Sequence, residues 1–496
     1  MQFSNATTAD IDKAVQQAWL AFHIYRKCTL RERAVFMRAI ATELEAAGDA
    51  LIKIAMEESH LTEARLRSER ARTIFQLTSY AEACETGNWL EARIDTAVPD
   101  KNPPKPDLRK MLEPLGPVVV FGASNFPFAY STAGGDTACA LAAGCPVIVK
   151  AHPAHAQTSE LVAACISGAA EKLKMPNGIF THIHGSDFRA GEDLVSHPLV
   201  KAVGFTGSFS GGKALFDLAN KRKDPIPVFA EMSSINPVFL LPQKLKESPE
   251  AIAKMYASSI TLGVGQFCTN PGLIIGIEGE TLQQFIQLLG NEIKQASPGA
   301  MLHDGIAKNF TEKRRSALAQ QDVDTIAVAE KPATQEQGAP TLASATGKAF
   351  LNNPVLHQEV FGPYSIVIRC ADMPEMIDVA KNIEGQLTAT LMATEADIHE
   401  NTELVDAVKN ICGRFIFNGV PTGVEVCLAM QHGGPFPATT DSRFTSVGAD
   451  GIKRFARPVA YQNWPDALLP DELKNANPLG IWRTINNEFT KNPVAV

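Results

Sequence analysis

No stretch of the 496-residue chain approaches the roughly 18 consecutive apolar residues of a membrane-spanning helix, so no membrane partner is expected. The opening segment MQFSNATTADIDKAV has neither the basic start nor the apolar stretch of a secretory leader. Basic residues are outnumbered, 46 Lys and Arg against 54 Asp and Glu, for a net charge of −8. With no basic stripe to neutralise phosphates, no nucleic-acid partner is expected either. The nine cysteines are odd in number and irregularly spaced, which is no disulfide framework. These absences point to a cytoplasmic protein with reduced thiols. Two catalytic signatures are also missing. There is no G-x-S-x-G elbow for a serine hydrolase, and no strand end carries G-x-G-x-x-G. His152 with His155, and His182 with His184, lack a nearby Cys, Asp or Glu set at a zinc spacing, so no metal is expected.

What the chain does have is the composition of a folded globular protein, 45% apolar and 20% charged, at a length that needs more than one core. The first ninety residues read as helices. Thr7 with Asp10, and Thr29 with Glu32, form capping boxes ahead of apolar helical faces, and Gly48 marks a helix end. The stretch DTAVPDKNPPKPDLRKMLEPLG is too rich in proline for a helix or a central strand, and reads as an edge ribbon, an arm or a linker. From Pro117 onward, short β-branched runs such as PVVVFGAS, CPVIVKAH and VKAVGFTGS alternate with helical stretches, the pattern of a doubly wound parallel sheet. A second alternating region begins near Ala251, so two α/β domains are expected.

Cys268 differs from the other cysteines. Most of those lie in apolar runs and read as small core residues. Cys268 sits in TLGVGQFCTNPG, among glycines that would let backbone N–H groups approach whatever its sulfur attacks. Other groups fall at strand ends, where α/β folds bind ligands. Lys150 ends one apolar strand and reads as a ligand contact or a solvent lysine. Gly207 and Ser208 form a turn before a helix, suited to a phosphate or to plain capping. Glu231 ends another strand and suits a general base as well as an ordinary surface acid. Asn125 is placed as an oxyanion donor or as a turn residue before a proline. No histidine stands out as a base for a cysteine hydrolase.

Taken in order, SNFP with Asn125, VIVKAHPAH with Lys150, FTGS, FAE with Glu231, GQFCT with Cys268 and EVFGP with Glu359 and Phe361 resemble the aldehyde dehydrogenase superfamily over nearly the whole chain. Blocks such as EMSSINPVFLLP and PTGVEVCLAMQHGGPFPATTDSRFTSVG resemble its branch of bacterial 2-oxoglutarate semialdehyde dehydrogenases. That branch also holds an NADP-dependent fatty aldehyde dehydrogenase. The resemblance implies a Rossmann-like cofactor domain over 1–90 and 113–240 and a catalytic α/β domain over 241–435. It implies an oligomerisation arm and C-terminal extension over 91–112 and 436–496, in a homodimer or homotetramer.

It also implies roles. Cys268 would attack the aldehyde to give a thiohemiacetal and then a thioester, Asn125 would hold the oxyanion, and Glu231 would activate water. Lys150 would hold the adenosine ribose and Glu359 the nicotinamide ribose, with Phe361 beside the ring; on the residues themselves, Gly207 and Ser208 suit a phosphate, and His152 either hydrogen-bonds near the adenosine ribose or points to solvent. The run Ala151-His152-Pro153-Ala154-His155 holds no acid to repel a 2′-phosphate, so NADP is expected as the preferred cofactor, with NAD as a slower substitute. Arg443 and Ser442 are candidates for the substrate's carboxylate, although a solvent arginine beside Asp441 fits the residues equally. Many relatives carry two glycines where this chain has Ser233 and Ser234, which bears on the mobility of that loop. The substrate implied is 2-oxoglutarate semialdehyde. The alternatives are a long-chain fatty aldehyde and, in another class, cofactor-free thioester or ester hydrolysis by Cys268 and Glu231.

Overall fold

A computed structural model of the protein describes residues 3–494. Its first helices are Thr8–Tyr25, Leu30–Ala46, Gly48–Ser59 and Glu63–Thr86. Both expected capping boxes form, with Thr7 accepting from the Asp10 amide and Thr29 from the Glu32 amide. Gly48 does more than end a helix. At φ +60° it turns the chain directly into the next helix, leaving no linker for the sequence to reveal.

Five parallel strands form the first sheet, in the order Phe180–Ile183, Val147–Lys150, Val118–Phe121, Ala202–Thr206, Val228–Glu231. Side chains alternate between its faces. Val118, Val120, Val147 and Val149 pack against the helices at 30–46, 63–86 and 135–143. Val119, Ile148 and Val203 pack against the helices at 8–25 and 189–196. Successive strands are added on one side of Val118–Phe121 and then on the other, so a crevice opens at the carboxyl ends between this strand and Ala202–Thr206.

The second sheet has seven strands, in the order 323–328, 341–346, 364–370, 273–277, 238–240, 386–392, 412–417, and all neighbours but the first pair run parallel. Its burial on both faces accounts for the near-continuous apolar runs that mark it in the sequence.

A third sheet, of five strands, overturns one expectation. Leu108–Pro114 lies inside it, paired on one side with Arg93–Asp95 and on the other with Ala456–Gln462. The prolines that argued against a central strand cluster at 103–106, in the connection, and Pro114 falls on the strand's last residue. No helix among the described residues is long and apolar enough to cross a membrane.

The segment from 436 to 455 ties the sheets together. Met232 N donates to Ala438 O at 2.8 Å, and Thr440 N donates to Ala230 O at 3.1 Å. Farther on, Arg454 Nη1 meets Asp136 Oδ1 at 2.7 Å, with side chains only 4% and 12% exposed. Removing one partner of such a pair strands the other charge away from water. Arg454→Met should therefore cost about 3–5 kcal/mol in urea unfolding. Adding Asp136→Asn should restore part of the loss, and a cost below about 1 kcal/mol would show that water already solvates Asp136.

Candidate active site

Cys268 follows a tight turn after the helix Pro249–Thr261. Gly263, Val264 and Gly265 all have positive φ, at 54°, 58° and 64°. Gly265 admits no side chain, because a Cβ there would lie 2.3 Å from the carbonyl carbon of Gly362. That close approach sets the cysteine loop against the segment bearing Glu359 and Phe361, and Asn270 Nδ2 closes the contact by donating to Gly362 O at 3.2 Å. On its other side, the loop is held by Asn236 Nδ2, which donates to the carbonyls of Cys268 and Asn270, each at 2.9 Å.

Glu231 reaches the same point from the end of the fifth strand of the first sheet and is buried. A third residue joins them. The buried His432 places Nε2 3.5 Å from Cys268 Sγ and 3.1 Å from Glu231 Oε1. Sulfur, imidazole and carboxylate all lie within 4.8 Å of one another. Ser446 Oγ donates to the other carboxylate oxygen, Glu231 Oε2, at 2.8 Å. The His432 amide donates to Thr445 Oγ1 at 2.9 Å.

Sequence reasoning did not single out His432. The signal available was the Gly433-Gly434 pair that follows it. A Cβ at Gly434 would fall 2.0 Å from the carbonyl oxygen of Gln386, so this loop crosses another backbone too closely for any side chain.

Burial raises the Cys268 thiol well above its ordinary value, and the neighbouring Glu231 carboxylate adds to the rise. Burial likewise opposes ionisation of Glu231, but His432, Ser446 and Cys268 outweigh it and hold the carboxyl below its usual value. The resting pair is thus a thiol beside a carboxylate, with an imidazole touching both. Asn125 Nδ2 donates to Gln266 O at 3.2 Å, two residues before the cysteine. Glu359 and Phe361 line a pocket with Ser234, Gly265 and Phe267.

The serines after Glu231 fasten their loop. Ser234 Oγ donates to Asn236 Oδ1 at 2.9 Å and to Gln386 Oε1 at 3.0 Å, and accepts from Leu387 N at 3.0 Å. Ser233 and the Ser234 amide face the Glu359 carboxyl.

The remaining candidates lie elsewhere. Gly207 and Ser208 begin the helix Phe209–Asn220 beside the crevice, with Ser208 Oγ accepting from Gly211 N at 3.2 Å. Lys150 ends its strand two places away and is partly buried, yet its ammonium has no hydrogen-bond or ion-pair partner among the described residues. His152 stacks beside His155 and faces His303, with ring centroids 5.6 and 5.8 Å away. Burial and these neighbours push its pKa well down. A helix N-terminus beside the crevice, plus an unpaired ammonium at the same sheet edge, fits a dinucleotide's phosphates and ribose. Ser442 and Arg443 are not brought to the cysteine. Both are exposed, and the Arg443 guanidinium is engaged by Asp441 at 2.6 and 2.8 Å.

Residues 1–435 match the model of the aldehyde dehydrogenase family. The chain is 50% identical to alpha-ketoglutaric semialdehyde dehydrogenase 2 of Azospirillum brasilense, over 97% of this chain and 92% of that one. It is 47% identical to alpha-ketoglutaric semialdehyde dehydrogenase of Acinetobacter baylyi, over 99% and 93%. Among solved structures, it is similar in fold to a Thermus thermophilus 1-pyrroline-5-carboxylate dehydrogenase variant, with TM-score 0.78, 19% identity, and 92% and 86% of the chains covered. A Methanocaldococcus jannaschii glyceraldehyde-3-phosphate dehydrogenase complexed with NADP aligns with TM-score 0.77, 17% identity, and 93% and 95% covered.

The Glu359 carboxyl gives a pH-dependent signature. Burial pushes its pKa from 4.5 up to about 7, with Ser233 and Ser234 offsetting only part of the rise. Between those values the folded protein holds a proton that the unfolded chain has lost, so stability falls as pH rises through the window. Glu359→Gln removes this titration. The variant should gain thermal stability relative to the parent between pH 4.5 and 7 and show a constant difference on either side. A difference independent of pH across that window would show that the carboxyl titrates normally.

Proposed function

The chain belongs to the aldehyde dehydrogenase family, and from that premise we propose that it oxidises 2-oxoglutarate semialdehyde to 2-oxoglutarate, preferring NADP and using NAD more slowly. Near full-length identity of 50% and 47% to two alpha-ketoglutaric semialdehyde dehydrogenases supports the substrate. The observation that carries the chemistry is the contact of Cys268 with His432 and Glu231 beside the cofactor crevice.

In this reading, Cys268 adds to the aldehyde carbon as its proton passes to the unprotonated His432 Nε2, 3.5 Å from the sulfur, and the N–H so formed donates to Glu231 Oε1. Asn125 and the Cys268 backbone N–H stabilise the oxyanion that forms. A nicotinamide cofactor held at the crevice would supply the hydride acceptor for that carbon, and Cys268 retains the acyl group as a thioester. Glu231 then takes a proton from the water that attacks the thioester, and Ser446 fixes the carboxylate for that task. Lys150 and His152 would hold the adenosine ribose, Gly207 and Ser208 the phosphates, and Glu359 and Phe361 the nicotinamide end.

The substrate's own carboxylate needs a cation. Arg72 and Arg414 are partly buried and close enough to Cys268 to interact with its charge; Arg72 Nη2 donates to Tyr130 Oη at 3.2 Å, and Arg414 donates to the carbonyls of Gly423 and Pro421. They suit a charged tail better than an aliphatic one. Arg443 is paired with Asp441, whereas Arg72 and Arg414 have no carboxylate partner among the described residues, so the partly buried pair takes precedence.

The purified protein should reduce NADP with 2-oxoglutarate semialdehyde and be inactive as Cys268→Ala. Glu231→Gln should keep the first burst of cofactor reduction while steady turnover falls by about 10²-fold or more, because the thioester accumulates. Equal loss of burst and steady rate would remove Glu231 from water activation, and a preference for long aliphatic aldehydes would overturn the substrate.

For the cofactor, kcat/KM should be higher with NADP than with NAD, and His152→Ala should lower that ratio. Asp187, close enough to Lys150 to raise its pKa against the effect of burial, is the acid that opposes this preference. A higher kcat/KM with NAD would refute the assignment, and an unchanged ratio in His152→Ala would remove His152 from it.

A further inference from the structure

We propose that Glu160, His182 and His184 form a binding site for a divalent transition-metal ion of the zinc and cobalt class, separate from the cysteine site and independent of the dehydrogenase reading. The two histidines gave no such signal in the sequence, because Glu160 lies 22 residues before His182. The fold closes that gap. His182 belongs to the edge strand Phe180–Ile183 and His184 follows it two places on, so both rings leave one face. Glu160 comes from the first turns of the neighbouring helix Ala156–Lys172.

The donor atoms converge. Glu160 Oε2 lies 3.0 Å from His182 Nδ1 and 2.8 Å from His184 Nε2, and the three ligand atoms all fall within 4.8 Å of one another. Metal bonds of about 2.1 Å place neighbouring ligands roughly 3.0 Å apart at right angles and about 3.4 Å apart at the tetrahedral angle. Both nitrogen–oxygen separations therefore need little adjustment to accept an ion. Two imidazoles and a carboxylate are a donor set for divalent first-row metals, and exposed Glu160 leaves the remaining positions open to water.

Independent support lies behind the first ring. His182 Nε2 is 2.9 Å from Ser159 Oγ, which is fully buried and 2.5 Å from Thr132 Oγ1. Metal-bound histidines usually donate their other N–H to such a partner, which fixes ring and tautomer. The His184 ring is held by stacking on Phe3 at 4.0 Å and by the edge of His182 at 4.7 Å.

With an ion in place, the N–H of each ring lies on the nitrogen away from Glu160. At His182 that N–H then donates to Ser159, whose own hydrogen turns toward Thr132. The lone pairs facing Glu160 and the carboxylate take the ion.

The test uses chelator-stripped full-length protein carrying Cys268→Ala, since Cys268, His432 and Glu231 are also metal-ligand types. Calorimetry with Zn²⁺ should give one ion per chain. Co²⁺ should give visible ligand-field bands without a sulfur charge-transfer band. Adding His184→Ala or Glu160→Gln should weaken Zn²⁺ binding at least about tenfold, with thermal unfolding of the metal-free protein confirming that each variant is folded. Absence of binding in Cys268→Ala, or affinity unchanged by both added substitutions, would overturn the site.

Discussion

Much of this structure is organised around one contact, the meeting of a thiol, an imidazole and a carboxylate from distant parts of the chain. Cys268 and His432 are separated by 164 positions, and His432 and Glu231 by 201. Each arrives on backbone whose path is dictated by something else. Glu231 is where a parallel strand stops, Cys268 is where a helix is broken by three positive-φ residues, and His432 lies on a loop pressed against Gln386. The stretch Ala438–Thr440 hydrogen-bonds beside the Glu231 strand and keeps the last of these in register with the first.

The electrostatics of that contact explain why three groups are needed where two would be simpler. A buried thiol beside a carboxylate is reluctant to ionise, since burial and a like charge both disfavour the thiolate. Placing the imidazole between them gives the proton somewhere to go without placing two negative charges side by side. Ser446 then keeps the carboxylate ionised and oriented for its later task. Around this centre the loop after Glu231 is anchored. Ser234 bonds to Gln386 and Asn236, and Asn236 in turn holds the carbonyl of Cys268, so the nucleophile and the base share one polar network. Ser233 and Ser234 therefore tie this loop to Glu359, Asn236 and Gln386.

Much of the architecture was legible from sequence because its causes are local. Capping boxes at Thr7 and Thr29 and β-branched runs bounded by turn residues are short-range signals, and the structure forms those helices and strands. Cys268 stood out for a reason that proves tertiary: Gly265 is required by contact with Gly362, far along the chain, and not by the turn alone. Long-range pairing defeated the same reasoning elsewhere. The strand Leu108–Pro114 was masked by prolines that belong to its connection, and His432 had no local pattern because its partners lie in other segments. Arg443 could be read two ways in sequence, and its guanidinium is engaged by the adjacent Asp441.

The coupling of Cys268 to His432 can be measured without substrate or cofactor. The rate of Cys268 alkylation by iodoacetamide, followed across pH in the parent and in His432→Asn, reports how readily the thiol loses its proton. If His432 receives that proton, the variant should react at least about tenfold more slowly near neutral pH, with the rise in rate displaced to higher pH. Superimposable profiles would contradict the account, because they would show that the imidazole beside the sulfur takes no part in its ionisation.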